Sequence, residues 1–245
     1  MEGKAIIAAM ARRGLRVVRT RRGARVVQGG TVLSEVLAAP GPTHTLFDVL
    51  AAAVSALSPG PRVALLGFAA GGIVAPLRAM GFPHDLEAVD LSLEGELLFR
   101  MLSRGWAGAV SLAHADAADW LRTRRRAYHL IVEDLFLEEG PGMAKPRASL
   151  TTLPALIRRR LVPGGVAVIN TLPVPGLSWR EVLRPLSVAF SEAHVVRLDE
   201  YENRILVAGD DLGGAHGVSR RLRSTLRAIR SRQAERISVD AFRRG

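Results

Sequence analysis

The chain of 245 residues contains no cysteine. That excludes a disulfide framework, a thiolate metal site and a cysteine nucleophile. Aromatic residues make up only 5% of it, and they are not interleaved with basic residues in the manner of a base-stacking surface. No recognition-helix pattern for nucleic acid is present. The six histidines are scattered without the pairing a zinc site needs, so no metal is expected. The apolar stretch at residues 5–11 is too short to span a membrane and is wrongly flanked for a secretory signal. The expectation is a cytoplasmic protein of one large domain, or one domain with small appendages.

What is present is an apolar fraction of 48%, enough for a sizeable core, and a net charge of +11 that is unevenly spread. Residues 1–30 carry +7 and residues 217–245 carry +7, while the stretch 31–216 carries −3. The basic ends read as the solvated surface of an arginine-rich chain. Nucleic acid, an anionic surface or an acidic partner are the less favoured uses.

The stretch Leu15–Val27 alternates valine with arginine around Arg21-Arg22-Gly23, which predicts two short strands joined by a glycine turn. Ala38 to Pro42 reads as a loop, and residues 45–57 as a helix. From residue 62 the pattern alternates. Strands are predicted at 62–67, 86–90, 109–116, 128–134, 166–170, 193–198 and 204–209. Between the earlier ones lie helices carrying Ile73, Leu77 and Met80, then Leu102, then Trp120. A further helix is expected to be capped by Thr152, with Pro154 near its start, and to be stopped by residues 162–165. This alternation predicts a doubly wound α/β fold with a mostly parallel, Rossmann-like sheet. Val218, Leu222, Leu226, Ile229 and Ile237 recur at helical spacing between arginines, predicting a basic amphipathic C-terminal helix that docks on its own domain or a second subunit. The organisation expected is an N-terminal hairpin region at 1–42, a nucleoside-binding domain at 43–211 and the basic tail at 212–245.

In an open parallel sheet ligands bind beyond the carboxyl ends of the strands. Gly67-Phe68-Ala69-Ala70-Gly71-Gly72 follows the first of these strands, where glycines let backbone approach a ligand and a helix start offers N–H groups. Asp90 ends the second strand and could accept two hydrogen bonds from a ribose diol, or simply cap a helix. Asp116 ends the third, with the same two readings for an adenine amino group. Asp134 ends the fourth, placed to hold or deprotonate an amine.

Gly67 to Gly72, Val89-Asp90-Leu91-Ser92, Ala115-Asp116-Ala117 and Leu161 to Gly165 occur in the order and spacing of class I methyltransferase-fold proteins. The N-terminal hairpin, Thr43-His44-Thr45 and Tyr128-His129-Leu130-Ile131-Val132-Glu133-Asp134 resemble the spermidine synthase branch of that fold. The resemblance spans residues 15 to 210. It implies S-adenosylmethionine, or its decarboxylated form, as the ligand. Gly67, Phe68, Ala69, Ala70 and Gly71 would face the ligand's tail, Asp90 with Leu91 would hold the ribose, and Asp116 with Ala117 would meet the adenine. Asp134 would be the general base, His44 and Glu138 would lie near the substrate, and the protein would be a homodimer.

The same comparison exposes departures. Ala70 replaces an aspartate that grips the aminopropyl ammonium, and Ala69 replaces a glycine. Leu137 stands where a second diamine-binding aspartate is usual, and Thr43 replaces a tyrosine. Unless Glu133, Glu138 or Glu139 substitutes, a dicationic diamine loses two charge-assisted hydrogen bonds of roughly 1.5–3 kcal/mol each. Methyl transfer to an unidentified small-molecule acceptor is the leading expectation. Aminopropyl transfer and a non-catalytic binding or scaffold role are the alternatives. Arg124 to Arg126 and Arg158 to Arg160 read as exposed helix ends, the three tryptophans as packing residues, and residues 138–142 as a loop over the pocket.

Overall fold

The computed structural model describes residues 7, 10, 11, 14–139 and 142–243. Most of the apolar stretch at 5–11 lies outside them. The predicted hairpin, β1 (Arg16–Thr20) and β2 (Gly23–Gln28), is present, and Gly23 is pressed so closely on the Val36 backbone that a side chain there would collide. A third strand, β3 (Thr31–Leu37), pairs antiparallel with β2, and the three form a small separate sheet. Helix α1 (Leu46–Leu57) follows, its first turn capped by the Thr45 hydroxyl.

The main sheet begins with β4 (Val63–Leu66), a run buried on both faces as parallel central strands are. Then come α2 (Val74–Ala79), β5 (Leu86–Asp90), α3 (Glu94–Ser103), β6 (Val110–His114), α4 (Ala117–Thr123) and β7 (Tyr128–Glu133). Pro76 falls in the first turn of α2, where its missing N–H costs nothing. Of residues 138–142, read as a loop, 138, 139 and 142 instead belong to two short paired strands, β8 (Leu137–Glu139) and β9 (Gly142–Ala144); residues 140 and 141 are outside the described residues.

The expected Thr152-capped helix is also different. A first helix, α5 (Arg147–Thr151), runs into α6 (Leu153–Arg160), and Thr152 at the junction has helical backbone and makes no side-chain cap. Residues 162–165 do not separate helix from strand. They form an irregular start to β10 (Leu161–Thr171), whose pairing with β7 shifts register between Leu161 and Val166. Helix α7 (Trp179–Ser187), opened by a Ser178–Glu181 capping box, was not foreseen. After β11 (Glu192–Leu198) and β12 (Arg204–Gly209) comes α8 (Ala215–Ala228), which packs on α1. The tail helix ends there. Ile237 lies in β13 (Ile237–Ala241), which pairs with β11 at the sheet edge.

The main sheet has the order β13-β11-β12-β10-β7-β4-β5-β6. Strands β10, β7, β4, β5 and β6 are parallel; β12 runs antiparallel to β10 and β11, and β11 antiparallel to β13. Alternate residues serve opposite faces. Val63 and Leu65 join a core with α1, α2, α3 and α8, whereas Ala64 and Leu66 join one with α4, α6 and α7. The chain moves from β4 outward through β5 to β6, then returns to the other side of β4 for β7. That reversal opens a crevice at the carboxyl ends of β4 and β7. Among the described residues no helix is long and apolar enough to cross a membrane.

Candidate active site

Register aligns the functional groups in a row. Leu66 pairs with Glu133 and with Val89, and Ile169 pairs with Glu133. The residues that follow, Asn170, Asp134, Gly67 and Asp90, therefore stand side by side at the sheet edge. Asp90 pairs with His114, so Asp116 lies just past the neighbouring strand. With strands about 4.8 Å apart, Asp116 and Asp134 are separated by three strand steps, or roughly 14 Å. Asn170, Asp134, Gly67, Asp90 and Asp116 line one cavity of about 650 Å³, within the size range of small-molecule sites.

Asp90 is largely engaged in structure. Its Oδ2 accepts from the N–H groups of Phe68 and Ala69 at 2.7 and 2.8 Å, and its Oδ1 accepts from Ser92 N–H at 2.9 Å. A carboxylate offers about four lone-pair sites, so about one remains for a hydroxyl. The turn itself differs from the sequence expectation. Gly67, Phe68, Ala69 and Gly72 line the cavity, but Ala70 is fully buried and Gly71 packs beneath Phe68 and Phe99. Five of its six N–H groups are also taken: Gly67 by Val89, Phe68 and Ala69 by Asp90, Gly71 by Phe68, and Gly72 by the Ser34 hydroxyl. The turn supplies shape rather than donors. Ala69 holds a left-handed φ of 47°, and its carbonyl lies so close to α3 that a side chain at Gly95 would overlap it.

Asp116 caps α4, its Oδ1 accepting from Ala118 and Asp119 N–H at 2.9 and 3.0 Å. It also lines the cavity, beside Ala117, Leu91, Ala118, Ala148 and Leu153. Its Oδ2 accepts no hydrogen bond from the described residues. One acceptor thus stands at the margin of an apolar slot of the cavity.

Asp134 is different in kind. Its Oδ1 accepts from Asn170 Nδ2 at 2.7 Å, and Asn170 Oδ1 accepts from Asn203 Nδ2 at 2.9 Å. Burial pushes its carboxyl above the usual aspartate range; the Asn170 bond and the Lys145 charge oppose this, and the Asp90 charge adds to it. Neither asparagine was singled out from sequence. The available signal was a polar residue closing the apolar run of 166–170, at the same sheet edge as Asp134.

Glu133 does not replace a lost diamine carboxylate. It is buried, ion-paired with Lys145 at 2.8 Å, and accepts from Ser149 Oγ and Leu135 N–H. Both side chains of the pair are only 1% exposed. Lys145 Nζ also donates to Leu135 O and lies 4.4 Å from the centre of the Phe136 ring, tying the β8–β9 hairpin to the cavity floor. Glu138 lines the rim, where its Oε2 accepts from Gln28 Nε2 at 2.8 Å and bridges the hairpin to β2. Glu139 does not line the cavity.

His44 is not brought to the cavity. It has a positive φ of 64°, its N–H donates to Asp48, and its carbonyl accepts from Gln233 Nε2. Burial and nearby arginines lower its pKa, against the Asp48 charge. Its role is to join α1 to the C-terminal segment. Trp120 stacks on Tyr128, Arg204 lies over Trp179, and Trp106 donates to Leu102 O, consistent with packing roles. The arginine clusters are not wholly solvated. Arg160 donates to the Leu121 and Arg122 carbonyls near the end of α4, and Arg158 pairs with Asp210.

No protein-family model and no curated protein matches the sequence. Solved structures do match. A probable spermidine synthase from Corynebacterium glutamicum superposes with a TM-score of 0.69 at 17% identity, covering 93% of this chain and 87% of that one. Spermidine synthase from Thermotoga maritima gives 0.62 at 15% identity, over 89% and 75%. Human methyltransferase-like protein 13, solved with S-adenosylhomocysteine, gives 0.59 at 20% identity, over 76% and 90%. The chain has the Rossmann-like fold shared by these spermidine synthases and methyltransferases.

Proposed function

We propose that the protein binds S-adenosylmethionine in this cavity and transfers its methyl group to a small-molecule acceptor. The observation that carries the reading is the convergence of Asp90, Asp116 and Asp134 on one cavity at the reversal point of the sheet. Asp116 Oδ2 and the apolar slot around it would receive the adenine, and the remaining lone pair of Asp90 a ribose hydroxyl. When bound, the sulfonium supplies a carbon whose bond to sulfur breaks as an acceptor lone pair attacks it. Asp134 holds the acceptor's N–H or O–H and takes its proton, and its raised pKa suits it to that exchange. Asn203 and Asn170 fix the carboxylate's orientation, and the apolar walls keep water from competing.

A second reading, aminopropyl transfer from the decarboxylated donor, is favoured by one feature. No lysine or arginine stands among the described residues lining the cavity, so the carboxylate of S-adenosylmethionine has no cationic side chain to meet. Calorimetry on the intact protein separates the readings. Tighter binding of S-adenosylmethionine or S-adenosylhomocysteine, with product formation from the former, supports methyl transfer. Tighter binding of decarboxylated S-adenosylmethionine, with methylthioadenosine released in the presence of amines, supports the second. Binding of none of these leaves a non-catalytic module.

A further inference from the structure

The same cavity extends well past the acids, and the character of its far part bears on the acceptor. Beyond Asp134 the lining comes from the small N-terminal sheet, the start of α1 and the β8–β9 hairpin: Val26, Val32, Leu46, Phe47, Phe136 and Leu137 are representative. Charge is scarce there. Glu133, the carboxylate nearest Asp134 in sequence, is sealed away with Lys145. Glu138 sits exposed at the rim and is engaged by Gln28. Asp90 spends three of its acceptor sites on backbone. A dication entering this part of the cavity would meet Asp134, itself partly offset by the Lys145 charge, and otherwise only Glu138, exposed at the rim where solvent screens it. Stripping a second ammonium of water without a partner is strongly unfavourable. Apolar surface, by contrast, gains from every wall.

We infer that the acceptor is a predominantly apolar molecule presenting a single amine or hydroxyl to Asp134, and not a polycation. This rests on the reading of Asp134 as the group that faces the acceptor. Specificity would come from Asn203, Asn170 and Asp134 at the polar end of an otherwise greasy chamber, the arrangement usual for sites that orient an apolar ligand by a few polar groups. Leu137 marks the difference most simply. It is 48% exposed at the chamber rim, so its replacement does not disturb the core.

The test uses the full chain and the neutral fluorescent amine N-phenyl-1-naphthylamine, titrated with and without saturating S-adenosylhomocysteine, with 1,4-diaminobutane as competitor. The expected result is saturable fluorescence that the diamine does not displace. Leu137→Asp should weaken the neutral probe by roughly tenfold, the loss of about one apolar contact, and should make diamine binding measurable; calorimetry with S-adenosylhomocysteine checks that the variant is folded. Binding of S-adenosylhomocysteine together with displacement of the probe by the diamine, or with no saturable probe signal, overturns the inference and leaves the transferase reading intact. Saturable probe binding by a protein that ignores S-adenosylhomocysteine overturns the transferase reading and leaves the apolar chamber standing.

Discussion

Asp90 and Asp134 stand at the ends of strands only two places apart, at the same edge of the same sheet. Asp90 accepts three backbone N–H groups and thereby holds the turn after β4 in shape. Asp134 accepts one side-chain bond, in surroundings that oppose its charge. One carboxylate is committed to architecture, while the other is left under-solvated, with a single side-chain bond. Position at a strand end thus confers opportunity, and the neighbours decide whether it becomes scaffold or chemistry.

The contrast can be broken most directly at Asp134. Asp134→Asn should lower turnover by about 10²–10⁴-fold, with affinity for S-adenosylhomocysteine little changed; single-turnover kinetics and calorimetry together check this. Activity of the unaltered protein should rise with pH through the raised Asp134 value. The stability trend runs the other way. Folding raises this pKa, so the native state binds the proton more tightly, and stability falls as pH climbs from the ordinary aspartate range through the raised one. Asp134→Asn removes that cost and can still accept the Asn170 bond. It should resist urea at neutral pH at least as well as the parent.

The second probe is the buried ion pair beneath Asp134. Lys145→Met strands Glu133 without its cation and should cost about 3–5 kcal/mol in urea unfolding. Where the variant remains folded, losing the Lys145 charge should push the Asp134 pKa, and with it the pH–rate profile, further up. Third, Asp90→Ala orphans the Phe68 and Ala69 N–H groups and should cost about 1–3 kcal/mol. Its signature is a loss of S-adenosylhomocysteine affinity, read by calorimetry, larger than any loss of neutral-amine binding. The smallest effect is a gain. Ala69→Gly relieves a left-handed backbone penalty of roughly 1–2 kcal/mol and should raise the unfolding midpoint.

The sheet was legible because buried parallel strands announce themselves as short apolar runs; 86–90 and 204–209 match the structure residue for residue. The helix expected at 45–57 is present as Leu46–Leu57, with Thr45 as its cap. Several elements were not legible, and three show why. Strand β3 mixes Ser34 and Glu35, both buried, into its run, so it lacks the alternation that betrayed β1 and β2. Helix α7 carries an internal proline, Pro185, which argued against helix. Strand β13 followed a strongly amphipathic helix closely enough that Ile237 fitted the helical period. At the site, the acids were visible as acids at strand ends. What each bonds to was not, because it depends on register between strands distant in sequence. His44 illustrates this: its surroundings come from residues 232–233, and nothing local indicates them.

A neighbouring contact has a temporal consequence. Ser231 Oγ bonds Asp48 across a separation of 183 residues, and β13 completes the sheet edge beside β11. The start of α1, whose Leu46, Phe47 and Leu50 line the cavity, is therefore fastened by residues made long after it. During synthesis the chain must wait for residues 231–241 to emerge before this wall is secured, and closing such distant pairings is intrinsically slow. A nascent chain stalled short of that point would hold every described residue of the cavity lining and still lack the clasp that secures one wall of it.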